Sequence, residues 1–313
     1  MKPSPAESKL LNDSRLLILS DGKPGHVNQS IAFARHLGCE YDLMPVTFKR
    51  RLYKGLSYLA DMFGYYSTNL FNAERLSQRY AAVVSAGSET YYANRTLARQ
   101  LGCKAIAIML PQGYRLDFDL IVAQEHDHPP ERDNILCLPV NLNYIEPQGL
   151  VTAQPGECYV ALIVGGDSAH GKLDVSLLKH QVKKIFELFP EHRFWLTTSR
   201  RTPRSVEEML RVFSFDYAVY YSEQPLNPIP DFLEHSEYVF ITADSSSMIS
   251  EAVSFGASCV EVLPLDSKMI SKGKLGLLMN NLVKLGCLHL FDGGCEKRNL
   301  KVQFSESLKI LYD

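Results

Sequence analysis

The chain has 313 residues, 46% hydrophobic and 22% charged with a formal net charge of -2, a balance that excludes wholesale disorder and lacks the strongly basic face of a nucleic-acid binder. That length predicts two domains of about 150 residues each. Seven scattered cysteines, never in a CxxC pair, predict reduced thiols, and no apolar run is long enough for a signal-peptide core or a membrane span, so the expected setting is cytoplasmic.

The first predicted strand, Arg15 to Ser20, ends in Asp21-Gly22-Lys23-Pro24-Gly25-His26 and leads into a helical pattern over Asn28 to Leu37. Strand, glycine loop and helix in that order put polar side chains at the edge of a sheet. His26 on this turn is the best candidate for a general base, because imidazole titrates near neutral pH, with an ordinary surface histidine as the alternative. A second strand, Tyr41 to Phe48, precedes the stretch from Phe48 to Phe71, in which Lys49, Arg50, Arg51 and Lys54 alternate with leucines, tyrosines, Met62 and Phe63. Two readings are open for it: an interfacial helix resting on an anionic membrane, or a core helix with a charged start.

Further apolar runs at Ala81 to Ser85, Lys104 to Leu110, Asp119 to Ala123 and Ile135 to Val140, with a helix over Thr90 to Leu101, predict a parallel sheet covered on both faces. Glu125-His126-Asp127-His128 offers four metal-ligand side chains in one loop, but adjacent residues rarely converge on one ion. The expectation is no metal there, and hydrogen bonding in a cleft or a sugar contact instead. Two prolines and two glycines mark Glu146 to Glu157 as a linker, giving domains 1–147 and 148–313, with the last helix packing back on the first domain.

The second half restarts with a strand at Cys158 to Val164 and the loop Gly165 to Lys172 before a helix from Asp174 to Phe189. Gly166 to Lys172 matches the GxxxxGK of a P-loop, yet Leu173 stands where a Mg²⁺-ligating hydroxyl is needed, which argues against a P-loop ATPase. The paired glycines can admit a diphosphate to backbone N–H groups, or form a plain turn. Arg200 and Arg201 follow the strand Arg193 to Thr198 and Ser199, as an anion clamp or a solvated basic turn. After the strands Tyr217 to Tyr221 and Tyr238 to Thr242, the loop Asp244-Ser245-Ser246-Ser247 opens a helix carrying Met248, Ala252 and Phe255, with Gly256 as its expected stop. Such a loop can receive phosphate or sugar oxygens, or merely cap the helix. A strand at Cys259 to Leu263 and helical patterns at Lys274 to Leu285 and Ser305 to Tyr312 complete an α/β chain of two doubly wound domains, which bind ligands where the strand order reverses.

Six blocks carry a resemblance: Ser20 to His26 with Asn28 and Gln29; Glu125, His126 and Asp127; Gly165 to Ser168; Ser199 to Pro203; Thr242 to Ser245; and Ser247, Met248, Ser250, Glu251, Ala252 and Gly256. Together they resemble the mitochondrial-fission ELM1-like family, labelled as predicted nucleoside-diphosphate-sugar epimerases and similar to GT-B glycosyltransferases. The resemblance implies a GT-B-like fold, two Rossmann-like domains facing across a cleft, with acceptor in the first and nucleotide-sugar in the second. It implies that Gly165, Gly166 and Ser168 lie beside the diphosphate and that Ser245, Ser246, Ser247 and Met248 lie against it. Ser199, Arg200, Arg201 and Asp244 belong to the same pocket, and Glu251 binds the ribose hydroxyls. His26 becomes the catalytic base, and Asp21, Gly25, Asn28, Gln29, Glu125, His126 and Asp127 line the acceptor side. Lys23-Pro24 departs from the paired glycines of the related lipid-intermediate transferases. The implied activity is metal-independent and cofactor-free transfer of a sugar from a nucleotide donor to a glycan or lipid-linked acceptor at the inner membrane face. Residues 48–71 would make a peripheral membrane contact, and no nucleic acid is involved. The alternatives are an epimerase using the same donor site and a non-catalytic membrane-associated scaffold.

Overall fold

Strands that are apolar on both sides need cover on both faces, and the computed structural model, which describes residues 15–74, 78–168, 171–265 and 273–308, provides it twice. The chain divides into one unit running to Tyr144 and resuming at Gln303, and a second spanning Ile145–Val302.

In the first unit the elements are β1 (Arg15–Ser20), α1 (Pro24–His36), β2 (Glu40–Pro45), β3 (Thr47–Phe48), α2 (Arg51–Met62), β4 (Phe71–Asn72), β5 (Ala82–Ala86), α3 (Tyr91–Leu101), β6 (Lys104–Ile108), β7 (Leu120–Gln124), β8 (Ile135–Leu138) and, from the chain end, α9 (Phe304–Leu308). Its six-stranded sheet has the order β2-β1-β5-β6-β7-β8 and is parallel throughout. Order reverses between β1 and β5. The strand predicted over Tyr41 to Phe48 is two: β2 stays paired with β1 through Pro45, and the chain then leaves to pair β3 with β4. α9 packs on α1, with the Phe304 ring 5.3 Å from His36, and the predicted continuation over 309–312 lies outside the described residues.

α2 follows the core-helix reading on one face only, where Tyr53, Tyr58 and Ala60 are partly buried against the core of this unit. Its buried residues are Ser57 and Asp61, whereas Leu52 is 84% exposed and Phe63, just past its end, 79%. Its leucines face outward because the inward positions not taken by Tyr53, Tyr58 and Ala60 hold polar side chains with partners. Ser57 is hydrogen-bonded to the Tyr114 hydroxyl at 2.9 Å. Asp61 accepts from Arg95 at 2.6 Å, the Tyr66 hydroxyl at 2.8 Å and the Arg115 backbone N–H at 2.8 Å. Arg95 is itself buried, so this pairing offsets the desolvation of both charges and holds the helix with its leucines outward.

The second unit contains β9 (Tyr159–Val164), α4 (Val175–Leu188), β10 (Arg193–Thr198), α5 (Arg204–Leu210), β11 (Tyr217–Val219), α6 (Ile229–His235), β12 (Tyr238–Thr242), α7 (Ser246–Ala252), β13 (Cys259–Leu263), α8 (Gly273–Lys284) and β14 (His289–Leu290). Its parallel sheet runs β11-β10-β9-β12-β13-β14, so order reverses between β9 and β12. β14, two residues long, leaves too short a pattern to read from sequence. The predicted linker is fastened to this unit: the Asp231 carboxylate accepts the backbone N–H groups of Gln148, Gly149 and Leu150 at 2.8 to 2.9 Å.

Gly256 is not the stop of α7. The helix ends at Ala252, where Ser254 Oγ donates to the carbonyls of Ser250 and Glu251 and Lys301 Nζ donates to that of Ala252 at 2.8 Å. Gly256 lies in the following turn at φ +73, and a Cβ there would sit 1.9 Å from the Leu233 carbonyl oxygen. Backbone approach together with left-handed φ requires the glycine.

Candidate functional site

The loops after β9, β10 and β12 meet at the reversal point of the second sheet, and Asp244 ties them together. Its side chain is fully buried. Oδ1 accepts from Thr242 Oγ1 at 2.6 Å, and Oδ2 accepts from Gly166 N at 3.1 Å and Arg201 Nη2 at 2.8 Å. Burial raises the Asp244 carboxyl above its ordinary value, opposed by these hydrogen bonds and by the charge of Arg201. Both glycines are sterically demanded: a Cβ on Gly165 would lie 2.0 Å from Asp244 Oδ1, and one on Gly166 2.0 Å from the Arg201 carbonyl oxygen. Thr202 Oγ1 completes the joint by donating to Gly165 O at 2.6 Å while accepting from Ser199 N at 2.8 Å.

The capping role left open in the sequence falls to Ser245, whose hydroxyl accepts from Met248 N at 3.4 Å. Asp244 is therefore a loop fastener rather than a cap, and Arg201 is turned inward upon it. Arg200 is exposed, and its guanidinium has no partner among the described residues. Ser199 accepts from Arg201 N, Ser168 N donates to Gly171 O at 2.9 Å, and Ser247 is exposed. Ala169 and His170 of the GxxxxGK stretch lie outside the described residues. Thr202 and Thr242, which stand in the resemblance blocks without an assigned role, carry hydrogen bonds between loops.

Glu251 stands in the last turn of α7, half-buried, with no hydrogen-bond partner for its carboxylate among the described residues, and burial pushes its pKa up to about 7. The folded state thus holds a proton that the unfolded chain releases near pH 4.5. The associated stability is complete below that pH and is lost as pH rises through about 7. Glu251→Gln is expected to equal the parent in urea unfolding at pH 4 and to exceed it by about 1–3 kcal/mol at pH 8. Equal stability of the two proteins at pH 8 would show that the carboxylate is not desolvated.

In the first unit the reversal point gathers the loops after β1 and β5. Asp21 Oδ2 lies 2.8 Å from His26 Nδ1, Asp21 Oδ1 accepts from Lys23 N at 3.1 Å, and the Asp21 side chain is buried. A Cβ on Gly87 would fall 2.3 Å from His26 Nδ1, so the glycine backbone lies against the imidazole. The carboxylate fixes the tautomer with the proton on Nδ1 and leaves Nε2 as the basic nitrogen. Gly25 and Asn28 are exposed, while Gln29 is buried, donating to Gly25 O and accepting from Gln124 at the end of β7. Glu125, His126 and Asp127 form a single 3-10 turn after β7. Burial, then the negative charges of Asp127 and Asp21, raise the Tyr91 hydroxyl well above its ordinary value. Met109, just past β6, is held at φ +71, strained for a side chain of that size, with the Tyr91 hydroxyl donating to Ile108 O and Met109 O. Neither Gly87 nor Met109 was singled out from the sequence, where a glycine after a strand and a methionine before Leu110-Pro111 are unremarkable.

This architecture has relatives among solved structures. A Listeria monocytogenes protein assigned as a UDP-N-acetylglucosamine 2-epimerase matches 96% of this chain and 88% of its own at 13% identity, with a TM-score of 0.50. The glycosyltransferase SnogD from Streptomyces nogalater matches 96% and 94% at 13% identity and a TM-score of 0.50. Arabidopsis thaliana UGT89C1 complexed with UDP-L-rhamnose matches 96% and 89% at 10% identity and a TM-score of 0.50. Likeness at this identity shows the fold, GT-B, with two parallel-sheet units of six strands each. In sequence, the uncharacterized protein RP120 of Rickettsia prowazekii (strain Madrid E) is 24% identical over 295 residues, 76% of this chain and 80% of its own. Residues 24–309 match the family described as Mitochondrial fission ELM1, and the chain belongs to that family.

Proposed function

We propose that this protein is a glycosyltransferase that moves a sugar from a nucleotide-sugar held by the second unit to a glycan or lipid-linked acceptor, with His26 as the base. The observation that carries the reading is the joint at Asp244, which brings a glycine pair and Arg201, with Arg200 next to it in the chain, to the reversal point of a doubly wound sheet. Gly165 and Gly166 let Asp244 and Arg201 close against the loop, their own N–H groups being taken by Thr242 Oγ1 and Asp244 Oδ2, and Ser168, Ser199 and Ser245 to Met248 line the diphosphate. Arg200 meets the charge that grows on the diphosphate as the glycosidic bond breaks. Glu251 accepts hydrogen bonds from ribose hydroxyls. His26 Nε2 takes the proton of the acceptor hydroxyl while Asp21 stabilises the imidazolium that forms.

An acceptor anchored in lipid is supported by α2. Leu52, Leu56, Leu59, Met62 and Phe63 make an exposed apolar stripe beside the exposed cations Lys49, Arg50 and Arg51, a combination suited to an anionic bilayer surface. No helix of the described residues is long and apolar enough to cross a membrane, so the contact proposed is peripheral. Binding is tested with UDP-, GDP-, ADP- and CMP-sugars by titration calorimetry, and with anionic vesicles by sedimentation. Arg200→Ala and Glu251→Ala should each weaken the bound nucleotide-sugar by about tenfold or more, and Leu52→Asp with Phe63→Asp should release the protein from vesicles. Failure of every donor to bind sinks the transferase reading. An epimerised sugar nucleotide formed without acceptor would assign the same loops to an epimerase, and donor affinity without turnover would assign them to a scaffold.

A further inference from the structure

At the opposite, amino-terminal edge of the second sheet, three residues that immediately precede three neighbouring strands come together. Cys158 precedes β9, His192 precedes β10 and Glu237 precedes β12, and the sheet order places β9 between the other two. Register brings them near one another, since Arg193 pairs with Tyr159 and Tyr238 with Val160, which sets His192 beside Cys158 and Glu237 one residue further along. One ligating atom from each residue lies within 4.8 Å of the others, the single such triad of Cys, His, Asp or Glu among the described residues.

We infer that Cys158, His192 and Glu237 form a divalent-metal site of the zinc class, separate from the proposed sugar-transfer loops. Tetrahedral zinc at its usual bond lengths needs ligand-to-ligand edges of about 3.4 to 3.6 Å. His192 Nε2 and Glu237 Oε2 already stand 3.2 Å apart, so coordination asks mainly for a rotation of the Cys158 thiol, which is exposed and unconstrained by a disulfide. The imidazole is held in place by the Phe189 ring at 5.0 Å, edge to face, and its Nδ1 is buried without a hydrogen-bond partner. The adjacent cation offers no competition for the carboxylate: Arg193 is engaged by Glu157 at 2.9 and 3.0 Å and by Asp216 at 3.0 Å. A thiolate, an imidazole and one carboxylate select Zn²⁺ over Mg²⁺ or Ca²⁺, and water fills the fourth position. Zinc here would staple three strand starts, giving the metal a structural effect on the second unit.

Co²⁺ added to the chelator-treated full chain provides the test. One equivalent should give the thiolate-to-metal charge-transfer band of a tetrahedral site, Zn²⁺ should displace it one for one, and excess Zn²⁺ should raise the thermal midpoint. Cys158→Ser should abolish the band and weaken Zn²⁺ by at least about tenfold, and His192→Gln and Glu237→Gln should each weaken it measurably. Cys158 is exposed, so the serine variant tests the site without disturbing the core. Cys137→Ser, which removes another exposed thiol, should keep the band. Absence of stoichiometric binding, or a band that survives Cys158→Ser, would overturn the inference.

Discussion

Asp244→Ala is expected to lower the unfolding free energy by about 3–5 kcal/mol and to abolish nucleotide-sugar binding. The substitution removes a buried carboxylate while leaving three partners behind. Thr242 Oγ1 loses its 2.6 Å acceptor, Gly166 N its side-chain acceptor and the inward-facing Arg201 its counter-charge, and each buried polar group left unpaired costs on the order of 1–3 kcal/mol. A loss of this size is a large share of a stability of about 5–15 kcal/mol. Asp244→Asn keeps an acceptor for Thr242 and should fall between the two proteins. Urea unfolding monitored in parallel with donor titration checks both consequences. A change under about 1 kcal/mol with donor affinity intact would show that the three loops hold their shape without the carboxylate.

His26→Ala should slow sugar transfer by about 10²–10⁴ with donor affinity unchanged, because the histidine belongs to the first unit and the donor loops to the second. In barrier terms this is about 3–5 kcal/mol. Two neighbours sharpen the test. Asp21→Asn cannot stabilise an imidazolium as the carboxylate does, and should cost on the order of 10² in kcat. Gly87→Ala would place a methyl group 2.3 Å from His26 Nδ1 and should displace the ring, lowering kcat while the fold survives. Single-turnover rates at saturating donor separate these effects from binding. Wild-type turnover in His26→Ala would show that the base lies elsewhere.

The fold was legible wherever its signal was local. β1, β10, β12 and β13 coincide with their predicted runs, because a parallel strand buried on both faces is written as an unbroken apolar segment. Polar loops at the ends of those strands were equally legible, since a chain leaving a covered sheet must change character there. Errors arose where a neighbour outside the local pattern decided the outcome. The predicted single strand split because β3 leaves to pair with β4, Ser254 and Lys301 closed α7 before Gly256, and α2 turned its leucines outward because Arg95 and Tyr114 engage its polar side chains.

By itself, then, the sequence determined an α/β chain of two doubly wound units with glycine-bearing and hydroxyl-bearing loops at strand ends, since hydrophobic period and turn chemistry are properties of neighbouring residues. Only the tertiary structure decided that Asp244 fastens loops it is 78 and 43 residues from, that Asp21 and Gly87 hold His26 between them, and that His192 meets Glu237 across 45 residues of chain. Those contacts depend on strand order. Strand order is settled by which sheets can close a core, and no local period encodes it.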